Sequence, residues 1–173
     1  MDVLQAMKVR KSVRSYTGEP VTKEQLDAIL FAAEAAPVGM AKYELYQLTV
    51  ITDQKLLAEI DANAAEFFGN PQMHPLYGAP TLIVVSGTDE GNVASGNAAM
   101  IVHNMALAAV ELGVGHCDIY GAIAALNTKA DLVAQLNLPE GHKPIAAIVV
   151  GQTEESYTER TIDVNRIKTV CIG

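Results

Sequence analysis

Apolar positions recur along the chain with helical spacing in some stretches and as short continuous runs in others, a pattern that predicts an α+β domain. Helical spacing and capping signals predict five helices, at 2–9, 22–36, 53–69, 96–113 and 128–137. Apolar or β-branched runs bounded by turn-forming residues predict three strands, at 46–52, 81–86 and 145–150. The proline-containing segment 70–80 is predicted to be a loop. Strands and helices do not alternate regularly, so the pattern does not favour a parallel sheet.

Local signals place the ends of two of these helices. Thr22 to Gln25 form a capping box, in which Thr22 is the N-cap and Gln25 the third helical residue. This helix is expected to stop at Ala36, because Pro37 disfavours helical backbone in the residue before it. Asp53 is the expected N-cap of the next helix.

The helix predicted at 96–113 is apolar nearly all round and rich in small residues. Such a helix must be buried, in the centre of the domain or in an interface. His103 on this helix is expected to be a hydrogen-bonded core residue. The most apolar stretch, 98–112, is interrupted by His103, Asn104 and Glu111. We therefore predict no membrane span, and the charged N-terminus does not match a signal peptide.

Beyond Gly151 the chain turns polar and is predicted to form an extended tail. Apolar residues are nevertheless spaced along it, at Ile162, Val164, Ile167, Val170 and Ile172. A tail of this kind has no core of its own, so we expect it to pack on another surface, with a second subunit as the candidate. The chain shows no repeat, low-complexity segment or linker, which predicts a single domain over 1–173.

Composition narrows the choice of partners and compartment. Half of the residues are hydrophobic and 18% are charged, as in a globular protein. The net charge of −8 argues against nucleic acid as the main partner and against an anionic membrane. Cys117 and Cys171 form no CxxC pair, and the four histidines lack metal-ligand spacing, so no metal site is predicted. These features fit a reducing cytoplasm.

Residues 10–14 are the most informative stretch for function. Arg10, Lys11, Ser12 and Arg14 place three cations and a hydroxyl in five residues of an otherwise acidic chain. On a helix end Arg10 and Arg14 would lie one turn apart on the same side, where they could grip one phosphate from two directions. The alternative is a solvated basic helix end that complements the helix dipole.

No arrangement of side chains in the sequence has the spacing of a catalytic set. The run from Gly113 to Asp118 has two glycines of a dinucleotide-binding motif but lacks the third, and it is expected to be a helix C-cap and a turn. His116 and Cys117 could act as base and nucleophile, but adjacent side chains in a strand point apart. A protein with an anion site and no catalytic set is typical of an enzyme whose reactive atom belongs to a cofactor.

Four motifs in order resemble those of the FMN-dependent nitroreductases. The family signature [RH]-[RK]-S-[IV]-R-x-[FY] is matched by 10–16, and its A-P-S element by 35–37 followed by Val38. The family's long central helix resembles 96–115, and its L-P-e-g-y-x-p strand motif resembles 138–151. The resemblance therefore spans nearly the whole chain.

This resemblance implies an α+β homodimer with a central mixed or antiparallel sheet flanked by helices, a buried central helix and an extended C-terminal tail. It implies FMN bound at the subunit interface, reduced by NADH or NADPH and reoxidised by a small acceptor such as a nitro compound or a quinone, in a ping-pong mechanism without a catalytic side chain. The residues that it implies for FMN binding are Arg10, Lys11, Ser12, Arg14, Pro37, Val38, Gly39, Ile119, Tyr120, Gly121 and Arg160.

The segment after the 35–37 element departs from the family pattern. Residues 40–46 replace the family's N-x-Q-P-W element, and Val38 replaces a serine, which implies a different substrate pocket. Two further functions stay open at this point. One is a flavin-binding store or sensor of the same fold without turnover, and the other is an acidic interaction domain without a cofactor.

Overall fold

The structure, a computed structural model, describes residues 1–88, 91–163 and 165–173 and contains a four-stranded antiparallel sheet. Its strands in chain order are β1 Tyr46–Ile51, β2 Thr81–Gly87, β3 Gly115–Ile119 and β4 Lys143–Gly151. Their order across the sheet is β1-β2-β4-β3, and each neighbouring pair is antiparallel. The three predicted strands are confirmed, and the choice between a mixed and an antiparallel sheet is decided in favour of antiparallel.

Strand β3 was not predicted, because the sequence indicated only a helix C-cap and a turn there. The C-cap itself is correct: Gly113 has a φ of 68°, and the Val114 N–H donates to the Ala109 carbonyl at 2.8 Å. The chain then enters the sheet at once, and β3 pairs with β4 from Gly115 to Ile119. A five-residue strand containing histidine and aspartate carries little strand signal of its own.

Helices cover both faces of this sheet in the described chain. They are α1 Val3–Val9, α2 Lys23–Glu34, α3 Gln54–Phe67, α4 Gly91–Glu111, α5 Gly121–Leu126 and α6 Ala130–Ala134. Two 3₁₀ turns, Gly39–Ala41 and Tyr43–Leu45, precede β1. The five predicted helices are confirmed, although α4 begins five residues earlier than expected, while α5 and the 3₁₀ turns were not predicted. Short helices of this kind depend on packing more than on intrinsic propensity.

The predicted caps are present. The Thr22 hydroxyl accepts the Gln25 N–H at 3.2 Å, and the Gln25 side chain accepts the Thr22 N–H at 2.9 Å. Asp53 accepts the Leu56 N–H at 2.9 Å at the start of α3. Helix α2 ends at Glu34, two residues before the expected Ala36.

Each face of the sheet has its own apolar core. Helices α3 and α5 pack on the face that carries Leu82, Cys117 and Val149. Helices α2 and α4 pack on the face that carries Ile83 and Ile148. This division follows from the alternation of side chains along each strand.

Helix α4 was predicted to be buried, and within this chain it is buried only in part. Ala98, Met105 and Ala106 are fully enclosed, whereas His103 is exposed, so the expectation of a core histidine at that position was wrong. By length and composition alone α4 could cross a membrane, which the sequence analysis did not predict; half of its most apolar window is buried inside the protein. A core helix gives the same composition signal.

The C-terminal segment has two parts. Residues 152–160 run beside the N-terminal segment, to which they are hydrogen-bonded. Residues 165–173 are exposed, including Ile167, Val170 and Ile172, and Val164 lies outside the described residues. The tail therefore has exposed apolar residues that the described part of its own chain does not cover.

Candidate functional site

The basic stretch 10–14 is extended and lies along the outer edge of β3. Helix α1 ends at Val9, and Arg10 is its C-cap, with a ψ of 128°. The Val13 N–H donates to the His116 carbonyl at 2.7 Å. The expectation of a helix end was therefore wrong, because backbone pairing with β3 holds this stretch out straight.

Extended backbone still places alternate residues on one side. Arg10, Ser12 and Arg14 share one side of the stretch, and Lys11 and Val13 share the other. The contacts support this arrangement: burial raises the pKa of the Cys117 thiol, and Ser12, Arg14 and Arg10 all act against that rise, whereas the Lys11 side chain contacts Glu155. The structure thus separates Lys11 from the two arginines.

Lys11 has its own partner in the C-terminal segment. Its Nζ lies 2.7 Å from Oε2 of Glu155, and the Arg14 N–H donates to Oε1 of the same carboxylate at 3.2 Å. Lys11 and then the Arg14 amide hold the pKa of Glu155 below its ordinary value. By contrast, the Arg10 side chain forms no hydrogen bond or ion pair among the described residues.

Arg14 lies at the mouth of a cleft that the sequence analysis missed. Its guanidinium is 5.5 Å from the centre of the Tyr77 ring, and a hydrogen bond with Tyr77 raises the pKa of Arg14. Tyr77 has a φ of 57°, a left-handed conformation that is uncommon for an aromatic residue. Two consecutive left-handed residues, Tyr77 and Gly78, form the turn, and neither the strain nor the contact with Arg14 is visible in the sequence.

The cleft has a volume of about 680 Å³, within the range of small-molecule sites. Its apolar lining includes Leu57, Leu76 and Ala79. Asp61 accepts both the Leu76 N–H, at 2.7 Å, and His74 Nδ1, at 3.0 Å, so this histidine has a fixed partner at the cleft. Arg14 belongs to both the basic stretch and the cleft, and therefore joins a cationic surface to an apolar one.

Arg160 lies close to the basic stretch but is engaged. Its Nε donates to the Lys8 carbonyl at 3.1 Å and one terminal nitrogen to the Met7 carbonyl at 3.4 Å. These are free carbonyls at the end of α1, so Arg160 caps that helix. A guanidinium has five N–H donors, so these two bonds leave further donors of Arg160 unused.

Pro37, Val38 and Gly39 are not brought to the basic stretch within one chain. Gly39 N–H donates to Asn97 at 3.1 Å, and Asn97 in turn donates to the hydroxyl of Tyr46 at 2.8 Å. Tyr46 begins β1, the opposite edge strand from β3, about 14 Å away across the sheet.

Ile119, Tyr120 and Gly121 connect β3 to α5. Ile119 is buried in the core, and Tyr120 is 73% exposed. The family resemblance implies that Gly121 is one of the FMN-binding residues. In the structure the nearby ring is that of Phe68, because a Cβ at position 121 would lie 2.7 Å from it.

His116 and Cys117 do not form a base and nucleophile. Cys117 packs into the α3 and α5 side of the sheet, and burial raises the pKa of its thiol. His116 has no exposed surface and stacks on Tyr157 at 6.1 Å between ring centres. Neither ring nitrogen of His116 has a hydrogen-bond partner among the described residues. The same residues contain no group of ligands suited to a metal ion.

Comparison with known proteins agrees with the observed fold. The sequence profile of the Nitroreductase family matches residues 7–152. The chain is 27% identical to the NAD(P)H-dependent FMN reductase of Bacillus subtilis strain 168 over 92% of this chain and 69% of that protein. It is also similar to a crystallised nitroreductase with bound FMN from Bacteroides fragilis NCTC 9343. The TM-score is 0.84, with 28% identity over 98% of this chain and 99% of the other.

A nitroreductase with bound FMN from Desulfitobacterium hafniense DCB-2 has the same fold, with a TM-score of 0.83 at 23% identity over 98% of this chain and 99% of the other. The family match covers most of the chain. This protein therefore belongs to the Nitroreductase family.

Proposed function

We propose that this protein is an FMN-dependent oxidoreductase that takes a hydride from NADH or NADPH and reduces a small organic acceptor such as a nitro compound or a quinone. The relatives support an FMN-dependent oxidoreductase that uses NADH or NADPH, since they include an NAD(P)H-dependent FMN reductase and an FMN-bound nitroreductase. The observation that carries it is the junction at Arg14, which joins the cationic side of the basic stretch to the apolar cleft.

The residues at this junction fit FMN, which combines a dianionic phosphate with a flat aromatic ring. Arg10, Ser12 and Arg14 would hold the phosphate from one side of the extended stretch, with the remaining donors of Arg160 at its end. The apolar lining of the cleft suits a flat ring, and Arg14 supplies a positive charge at its border. The sequence also assigned Lys11 to the phosphate, but its ion pair with Glu155 sets it apart.

When bound, FMN supplies the two-electron chemistry, and the protein's part is to bind, orient and exclude water. No side chain of this chain is assigned as an acid, base or nucleophile. The nicotinamide and the acceptor are proposed to occupy the same space in turn, which predicts ping-pong kinetics. The acceptor receives the hydride equivalent and takes its second proton from water.

The site is proposed to be completed in a homodimer. Pro37, Val38 and Gly39 are separated from the basic stretch of their own chain by the width of the sheet. A second copy could supply them, together with the exposed Tyr120 and Gly121 region, at a shared interface. The exposed face of α4, with Met100 and His103, and the apolar tail are the surfaces available for such an interface. The proposed compartment is the cytoplasm.

The absorption spectrum of the purified protein tests this proposal. We expect bound flavin that is bleached by NADH or NADPH under anaerobic conditions and restored by a quinone. Flavin that is bound but not bleached would favour a store or sensor, and a colourless protein that takes up no FMN would contradict the proposal.

A double variant tests the residues. Arg10→Ala with Arg14→Ala should lose bound FMN and leave the fold intact, because each charge-assisted bond to a phosphate contributes roughly 1.5–3 kcal/mol. The matched control is Lys23→Ala with Lys55→Ala, which removes the same charge from exposed positions on α2 and α3. Full FMN occupancy in the arginine double variant, measured by released flavin, would contradict the assignment.

A further inference from the structure

Lys11 and Glu155 form a pair that spans the two ends of the chain. They are 144 residues apart in sequence, and their charged atoms lie at 2.7 Å. Glu155 is tied to its own segment, because its N–H donates to the Thr153 hydroxyl at 3.1 Å and that hydroxyl donates to the Ser15 carbonyl at 2.7 Å. The carboxylate is therefore presented to the basic stretch by a fixed turn.

The carboxylate makes two bonds to the basic stretch, and they differ in kind. Oε2 takes the Lys11 ammonium, while Oε1 takes the backbone N–H of Arg14. The second bond fixes the backbone at Arg14, two residues after Ser12. Together with the bond from Val13 to β3, it holds the stretch from both of its edges. Three alternate side chains remain parallel only as long as the backbone stays extended.

Lys11 is also on the wrong side to share a ligand with the arginines. It follows the same side of the stretch as the buried Val13, whereas Arg10, Ser12 and Arg14 follow the other. Its ammonium is already neutralised by a partly buried carboxylate, with about a third of each side chain exposed. A lysine in this state adds little attraction for a second anion.

We propose that Lys11 does not bind the phosphate, and that the Lys11–Glu155 pair is a brace that positions Arg10, Ser12 and Arg14 to bind it. This inference rests on the proposed function, because it assumes that the basic stretch receives the FMN phosphate. It makes Glu155 a positioning residue and divides the cations of the motif into two roles.

The test compares FMN with riboflavin, which has the same ring but no phosphate. The ratio of the riboflavin Kd to the FMN Kd, measured by fluorescence titration of the full chain stripped of flavin, reports the phosphate contribution alone. A change that only loosens the fold alters both constants and leaves the ratio in place. Thermal unfolding of each variant checks that it is folded.

Two charge-neutral double variants separate the roles. Lys11→Gln with Glu155→Gln removes one charge of each sign and keeps an acceptor for the Arg14 N–H, so the ratio should stay within about threefold of wild type. Lys11→Gln with Glu155→Ala has the same charge but no acceptor for the Arg14 N–H. Its ratio should therefore be about tenfold lower than that of the Lys11→Gln, Glu155→Gln variant. Lys23→Gln with Asp27→Asn, an exposed pair on α2, is the matched control and should leave the ratio unchanged.

Each outcome of these titrations either supports or overturns the role proposed for Lys11 and Glu155. If the Lys11→Gln, Glu155→Gln variant lowers the ratio as far as Arg10→Gln does, Lys11 binds the phosphate and the inference is overturned. Equal ratios for the Gln and Ala variants at position 155 would overturn the positioning role. A wild-type protein that binds FMN no better than riboflavin would overturn both this inference and the phosphate assignment in the proposed function. If the wild-type protein prefers FMN, the phosphate assignment in the proposed function stands, whatever the variants show.

Discussion

Residues 116 and 117 show how one position along a strand changes the role of a side chain. His116 faces the side of the sheet where Tyr157 stacks on it, and Cys117 faces the opposite core. Both are buried, so neither is presented to a substrate. Burial raises the pKa of the Cys117 thiol, which keeps it protonated and weakly nucleophilic at neutral pH.

We therefore predict that Cys117→Ala keeps the reductase activity. The variant should bind FMN and retain the rate within a few-fold, while its free energy of unfolding falls by about 1 kcal/mol from the small cavity. Steady-state kinetics and denaturant unfolding measure the two effects. Cys171→Ala, at an exposed cysteine, is the control and should change neither. A rate loss of several orders of magnitude in Cys117→Ala with flavin bound would contradict a mechanism without a catalytic side chain.

At the scale of elements, the N-terminal segment is hydrogen-bonded to the C-terminal segment 152–160 as well as to β3. Thr17 N–H donates to the Gln152 carbonyl at 3.0 Å, and the Tyr157 hydroxyl donates to the Val114 carbonyl at 2.7 Å. Glu159 accepts from Lys8 at 2.7 Å and from Gln5 at 3.1 Å. The basic stretch thus lies between β3 and a segment that has no regular secondary structure.

We expect this arrangement to make the fold sensitive to acid. Lys11 and the Arg14 amide lower the pKa of Glu155, and Lys8 and Gln5 lower the pKa of Glu159. Below the ordinary value of 4.5 the unfolded chain binds more protons at these two sites than the folded chain does. Their stabilisation is therefore present above about pH 4.5 and is lost as the pH falls through the lowered folded pKa values.

We predict that Glu155→Gln with Glu159→Gln flattens the acid side of the stability profile. The melting temperature of the wild type should fall more steeply between pH 5 and 3 than that of the variant, measured by circular dichroism. Glu140→Gln with Glu154→Gln removes the same charge from carboxylates that form no hydrogen bond in the described chain, and should keep the wild-type slope. Parallel profiles for the wild type and the Glu155, Glu159 variant would refute the prediction.

At the scale of the whole molecule, the parts of the proposed site lie at opposite edges of one sheet. The basic stretch follows β3, and Gly39 lies near the start of β1. Rotating side chains cannot close a gap of about 14 Å, so the proposed site would need a second copy to supply Gly39. The exposed tail, with Ile172 97% exposed, offers a further apolar surface for a second copy.

We predict that removing residues 161–173 weakens dimerisation and flavin retention together. Arg160 stays in the truncated chain, so the effect is separate from its bonds to α1. Sedimentation velocity and the flavin-to-protein ratio measure the two quantities. Ile167→Ser with Val170→Ser and Ile172→Ser keeps the length of the tail but removes its apolar side, and should weaken both in the same direction. A truncated chain that sediments as a flavin-loaded dimer would count against this role.

The sequence by itself determined most elements and the family. Helix caps at Thr22 and Asp53, and apolar strand runs such as 81–86, depend on residues close together in the chain, so local pattern is sufficient to find them. The motif at 10–14 likewise indicated the family, which the family match confirms, and its role as an anion site stays a prediction.

Only the tertiary structure decided which residues lie together around the basic stretch. Strand β3 exists because its backbone pairs with β4 and with Val13, and the straight basic stretch follows from that pairing. The partner of Lys11 is 144 residues away, and Tyr77 reaches Arg14 from a left-handed turn. Such contacts depend on how distant segments pack, and sequence periodicity, which records only which face of an element is apolar, does not contain them.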